Sequence, residues 1–286
     1  MKRELAEEMS ITLLKNDFTV KNVSGSCFDI LARKEDKILL IKVLQDANAI
    51  SQEYAEEMKK IAAQITATPL IVAEKANEML EDNIVYSRFG VYTLNPETLQ
   101  NCIKNRLPFV KRTKAGLTAT INSKRLAQLL EEEGLSLSEA AGKIGVSARM
   151  ISQYQEGSEI TFRKALEMHR LFGGTVFERI NIFDFEQPFQ QETRTVISKK
   201  YFELGFEALE TRKVPFDIIA RKNNEIILTE VGEKPRPELE ALTRLLDAEN
   251  LIIFSKNKPK DMPAINKKDF LELETAEELI RLMREF

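Results

Sequence analysis

Apolar residues recur at helical intervals through the middle of the chain and in short unbroken runs on either side of it. From Asn122 onward, Leu126, Leu129 and Leu130 share one helical face; Asn122 or Ser123 can cap the start, and Gly134 closes the helix. A second helix is expected over Leu135–Ile144, where Ala141 and Gly142 let a neighbour approach closely. Gly145-Val146-Ser147 then makes a short turn. Ser147 can cap a third helix, Ala148 to Gln155, which turns Ile151 inward and ends at Gly157. A fourth is expected from Thr161 to Phe172, with Ala165, Leu166 and Leu171 as core positions.

The flanks read differently. Each opens on a helix, followed by a strand ending near Asp29 or Asp217, a polar turn and an apolar strand, Ile38–Val43 or Ile226–Val231. A helix follows (Ala49–Ile65; Pro237–Ala248), then another strand, Leu70–Val72 or Leu251–Phe254. A strand and a helix close each flank: Val91–Leu94 with Pro96–Ile103, and Phe270–Leu273 with Ala276–Met283. Strands separated by helices predict α/β layers with mixed sheets. The two flanks are also copies of one another. Phe28–Val43 matches Phe216–Val231 at a constant offset of 188, with nine of sixteen positions identical and no gap.

Length and charge sharpen this picture. At 286 residues, 43% of them hydrophobic and 30% charged, the chain is long enough for two or three domains and too apolar for wholesale disorder. No apolar run approaches the ~20 residues that span a bilayer, and the N-terminus lacks an apolar signal core, so a cytoplasmic protein with no membrane role is expected. Cys27 and Cys102 stand 75 positions apart and read as buried thiols. The single histidine, His169, reads as a surface or boundary residue and argues against imidazole metal sites and hydrolytic triads. Between Lys111 and Arg170, ten basic residues face seven acidic ones, a local +3 in a chain of net −3. Glu131-Glu132-Glu133 reads as a solvated helix end, and Lys234-Pro235-Arg236-Pro237 as a strand stop and helix start. Asn22-Val23-Ser24 has the glycosylation pattern, with no occasion for it in the cytosol.

Two short helices joined by a Gly-containing turn, the second capped by Ser, describe a helix-turn-helix. Leu135, Ser136, Ala141, Gly145, Val146, Ser147, Ile151, Ser152 and Gly157 resemble the Cro and phage-repressor type. The resemblance implies that the helix 148–155 enters the major groove. Ser147, Ala148, Arg149, Ser152 and Gln153 are then the candidate contacts. Arg149 is the base reader, because its guanidinium can donate two hydrogen bonds to guanine O6 and N7. Lys111, Arg112 and Lys114 read as a flexible basic arm on phosphates.

In the flanks, an Asp with a second key position thirteen residues later resembles the restriction-endonuclease-like fold of resolvases and nucleases. Active members hold a divalent ion with that Asp and a second acid, and a lysine two residues on assists the nucleophile. Here Asp29 has Lys42 in place of the second acid and Leu44 in place of the lysine. The second copy keeps Asp217 and Glu230 but has Gly232, with Lys222 or Lys234 as conceivable stand-ins.

The expected division is an endonuclease-like α/β domain over 1–108, a basic linker over 109–120, a helix-turn-helix domain over 121–180 and a second endonuclease-like α/β domain over 190–286. That layout resembles a family of archaeal HTH-type transcriptional regulators, some of which activate archaellum operons. The resemblance implies binding to double-stranded promoter DNA; one module of this size reads few bases, so a homodimer is expected, joined through the α/β domains or the helices after Gly173-Gly174, and the incomplete acid-x-Lys sets lead to an expectation of no enzyme activity, cofactor or metal. Two alternatives remain open: a metal-dependent nuclease or junction-resolving enzyme using Asp217 and Glu230, and a protein-interaction scaffold for the basal transcription machinery.

Overall fold

The computed structural model describes residues 2–188, 191–234, 236–259 and 262–284, so that Pro235 and residue 190 lie outside it. Two compact units divide the chain: residues 1–73, 88–91 and 183–286 form one, and residues 74–87 and 92–182 the other.

The first copy of the repeat begins with α1 (Lys2–Leu14), β1 (Thr19–Asn22), β2 (Ile30–Lys34) and β3 (Lys37–Asp46), followed by α2 (Gln52–Gln64) and β4 (Thr68–Ala76). Strands β1, β2 and β3 pair antiparallel, and β4 takes the place beyond β3. Next come β5 (Glu78–Met79), β6 (Ile84–Arg88), β7 (Val91–Leu94), α3 (Pro96–Ile103), β8 (Val110–Thr113), β9 (Gly116–Thr120), α4 (Ser123–Glu132), α5 (Leu137–Ile144), α6 (Ala148–Tyr154), β10 (Glu159–Thr161) and α7 (Phe162–Phe172). The second copy supplies α8 (Val196–Glu203), β11 (Glu207–Glu210), β12 (Ile218–Lys222), β13 (Glu225–Val231), α9 (Glu238–Leu246), β14 (Glu249–Phe254), β15 (Ala264–Asn266), α10 (Lys267–Glu272) and α11 (Ala276–Arg284). Its sheet runs β11-β12-β13-β14-β15, antiparallel to β13 and parallel thereafter. The fold is thus mixed α/β with a helical region between the copies.

Several expectations change. Asp29 and Asp217 stand at the start of β2 and β12, not at the end of a preceding strand. The segment Phe270–Leu273 lies at the end of α10 instead of in a strand. Its alternation is misleading, because only Phe270 is fully buried and the Asn266 side chain caps the helix by accepting from the Lys268 N–H at 2.9 Å. Leu166 is 44% exposed, and Leu171 packs only partly against the helical core.

The repeat persists in the hydrogen bonds. Asp29 N–H donates to Ile41 O at 2.8 Å and Asp217 N–H to Thr229 O at 2.8 Å; the Val43 and Val231 N–H groups return to the carboxylates at 2.8 and 2.7 Å. Lys34 and Lys222 reach the Asn16 and Leu204 carbonyls, at the same offset of 188.

The two copies also hold one another. Helix α2 packs on β11 and β12 of the second copy, and α9 packs on β1 and β2 of the first. Arg33 on β2 donates to Leu245 O at 3.0 Å and pairs with Asp247 at 2.6 Å, both at the end of α9. Its counterpart Arg221 on β12 donates to Gln64 O at 3.1 Å and Thr66 Oγ1 at 2.9 Å, at the end of α2. Each strand arginine therefore caps the other copy's helix C-terminus, where the carbonyls lack intrahelical partners and the dipole favours a cation. Arg33→Ala and Arg221→Ala should each lower stability by about 1 to 2 kcal/mol in urea unfolding. The loss should be spread over both copies in hydrogen exchange; protection lost in one copy alone would contradict this reciprocal hold.

Candidate nucleic-acid interface

The helical region is assembled by local caps. Asn122 accepts from Arg125 N–H at the start of α4, and Ser136 and Glu139 form a reciprocal capping box on α5. That box holds the Glu139 carboxyl below its ordinary pKa. Gly145 ends α5 at φ +72°, in the left-handed region where glycine is favoured. A Cβ at Gly145 would lie 2.9 Å from the Lys164 ammonium, which donates to the Gly145 carbonyl at 2.6 Å and so closes α5 from α7. Ser147 then caps α6 through the Met150 N–H at 3.2 Å.

Helix α6 turns Ile151 and Tyr154 into a core built from Leu126, Leu130, Ala141, Ile144 and Met168. Burial pushes the Tyr154 hydroxyl pKa up. On the other face Arg149 and Gln153 are exposed and Ser152 is half-buried; none of these three side chains has a hydrogen-bond or ionic partner among the described residues. Ala148, expected to point outward, is half-buried against the core, because the first turn of α6 leans on α5.

The expected flexible arm is ordered. Lys111 and Arg112 lie on β8, and Lys114 lies in the turn to β9; β8 pairs with β6 and β9, and β9 pairs with β10. Val110, Ala119 and Ile160 are buried in the hairpin, which gives those strands their register. Lys111 pairs with Glu159 of β10 at 2.6 Å and lowers the pKa of that carboxyl. Arg112 and Lys114 are exposed and unpaired among the described residues.

The paired carboxylate positions are occupied by cations of the chain itself. In the first copy the buried Lys42 ammonium lies 3.3 Å from Asp29 Oδ1, donates to Ser26 O at 2.7 Å and sits over the Tyr54 ring at 5.3 Å. In the second, Arg236 reaches Asp217 at 2.9 Å and Glu230 at 3.4 Å, while its backbone N–H donates to Glu230 at 2.9 Å. Burial raises the Glu230 pKa against the opposing pull of Arg236. Lys222, a candidate stand-in, is spent on Leu204 O and the Phe206 ring, and Lys234 is exposed.

Residues 2–108 match a PD-(D/E)XK superfamily domain, and residues 126–178 match a helix-turn-helix family. A protein of Thermococcus gammatolerans named "Putative HTH-type transcriptional regulatory protein" is 31% identical, over 91% of this chain and 88% of its own. Relatives bearing that description in Archaeoglobus fulgidus and Thermococcus kodakarensis are 30% and 32% identical; they match 98% and 92% of this chain, and 97% and 88% of their own lengths. The chain belongs to this archaeal HTH-type regulator family. A PD-(D/E)XK domain implies a divalent ion between two acids, and the residues of this family member do not fit one. Lys42 replaces an acid outright, and the Arg236 guanidinium spans the two acids that remain.

Sequence reasoning missed Arg236, which lies six residues beyond Glu230 and outside the aligned repeat. Removing Lys42 takes the buried cation from beside Asp29, whose side chain is 14% exposed, so Lys42→Met should cost about 3 kcal/mol in urea unfolding, with added Mg²⁺ failing to restore it. Burial pushes the Cys27 thiol up to about 12 and the Cys102 thiol up to about 11. Both cysteines are free and buried, so a thiol reagent at about pH 8 should label neither in the folded chain and both in denaturant.

Proposed function

We propose that the chain is a sequence-specific transcriptional regulator that reads double-stranded promoter DNA in the major groove with the helix 148–155. The observation that carries this reading is the outer face of α6, where Arg149, Ser152 and Gln153 stand unengaged while Ile151 and Tyr154 fix the helix to its core. Arg149 reads a base, and Ser147, Ser152 and Gln153 set the register on base edges and phosphates. Ala148 lies close enough to the turn to let the backbone approach. Arg112 and Lys114 contact phosphates from the ordered hairpin; Lys111, already paired with Glu159, contributes less.

The regulator acts as a homodimer. The α/β copies already pair within one chain, whereas each chain carries one recognition helix, so two half-sites about one DNA turn apart need two chains. Neither α/β site cleaves, because each holds an internal cation in place of a complete acid pair.

Purified protein should shift a subset of upstream fragments from its own genome on a native gel in Mg²⁺ and leave them intact. On the selected site, Arg149→Ala should cost about 1 to 3 kcal/mol and relax preference at one position, with little loss on random DNA. Lys114→Ala should weaken both and lower the salt slope by about 1. Shortened fragments would instead assign nuclease activity, and binding with no salt dependence would move the role to protein contacts.

A further inference from the structure

We propose that a cleft in the helix-turn-helix unit, walled by the segment after α3 and by Arg179, binds a small-molecule oxyanion, a phosphate or carboxylate group. The cleft has a volume of about 640 Å³ and is lined by Asn83, Asn105, Arg106, Phe109 and Arg179 among others. Arg106 and Arg179 are among its lining residues, and no acidic residue is among them. Arg106 is exposed, and its side chain has no partner among the described residues. Arg179 gives one N–H to Leu107 O at 3.1 Å and lies over the Phe109 ring at 5.1 Å, with no ion pair among the described residues. The guanidinium fork matches the two oxygens of a carboxylate or phosphate, and two uncompensated cations in a concave site concentrate anions there.

The walls are preformed. Phe109 stacks on buried Phe177 at 4.8 Å, and Ile180 N–H donates to Pro108 O at 2.8 Å. Asn83 and Asn105 both stand in left-handed turns, at φ 58° and 60°, with exposed amides. Asn83 Oδ1 is used by Asn101, which leaves its amide N–H groups to donate.

The cleft lies further along α7 than the turn that precedes α6. Lys164, in the first turn of α7, touches the α5–α6 turn, whereas His169, beside Arg179, lies five residues further along, about 7.5 Å down the axis. A small anion held there is told apart from a backbone phosphate of the DNA by a titration that contains no DNA.

His169 is the only histidine, and its Nε2 and Arg179 Nη2 each lie 3.4 Å from the point a Cβ on Gly174 would occupy. Its imidazole C–H resonances thus report on the cleft. The full chain is titrated with inorganic phosphate and, separately, with citrate, at fixed pH and with ionic strength matched by NaCl. A saturable shift with phosphate identifies a phosphoryl ligand, and one with citrate a carboxylate ligand. Arg106→Ala, at an exposed site, should weaken the response about tenfold, the worth of one charge-assisted contact. Arg179→Lys should weaken it as well, and thermal melting checks that both variants remain folded. Arg170→Ala, whose side chain is 72% exposed and paired with Glu167, is the control and should titrate as the parent does. No saturable shift with either anion, or an unchanged response in Arg106→Ala, overturns the site. So does a silent titration in which Arg106→Ala instead lowers the salt slope of DNA binding by about 1, since the guanidinium would then be on the duplex. Because the titration contains no DNA, its outcome is independent of the regulator reading.

Discussion

A carboxylate fixed at the start of a strand draws a positive charge to it, and both copies of the α/β unit meet that demand from within the chain. Asp29 and Asp217 are bound into their sheets through their own N–H groups and through the N–H of Val43 or Val231, Asp29 the more deeply, with its side chain 14% exposed against 32% for Asp217. A metal-dependent nuclease answers the requirement with an ion taken from solution. This chain answers it from its own sequence, with Lys42 in one copy and Arg236 in the other. The cation is then part of the fold, and the site is satisfied as soon as the chain has folded.

The same economy governs how the copies meet. Each α/β copy leaves carbonyls exposed at the end of its second helix, and each strand arginine is long enough to cross to the other copy and meet them. Helices α2 and α9 follow, each burying a leucine- or alanine-rich face against the other copy's strands. The helix-turn-helix region obeys a more local logic. Helices α4, α5 and α6 are each capped by a local side chain, and one side chain, Lys164, ties the turn before α6 to α7.

That difference explains what the sequence discloses. Asn122, Ser136, Ser147 and Gly145 act within a few residues, so helices α4 to α6 and their order can be read directly. The copied segment can be read too, because identity at a fixed offset needs no folding to be seen. The hairpin of β8 and β9 is hidden: its strands are short, β8 carries adjacent basic residues that interrupt any alternation, and its register comes from burial of Val110, Ala119 and Ile160 across neighbouring strands. Arg33 and Arg221 are visible as identities, but their partners lie more than 150 positions away. The outer face of α6 was legible apart from Ala148, whose burial depends on how α6 leans on α5. Arg236 escaped because the contact it makes has no counterpart in the first copy.

Symmetry gives the internal pairing a further meaning. A dimer of two separate identical chains must accept every substitution twice, once in each half, and at equivalent positions. Here the halves are written out separately, and the position that holds Lys42 in one holds Glu230 in the other. No homodimer can place a lysine and a glutamate at one equivalent site. Two copies written out separately let each half solve the same electrostatic problem with a different residue, and left a pair of domains that repeat one hydrogen-bonding frame and diverge in its chemistry.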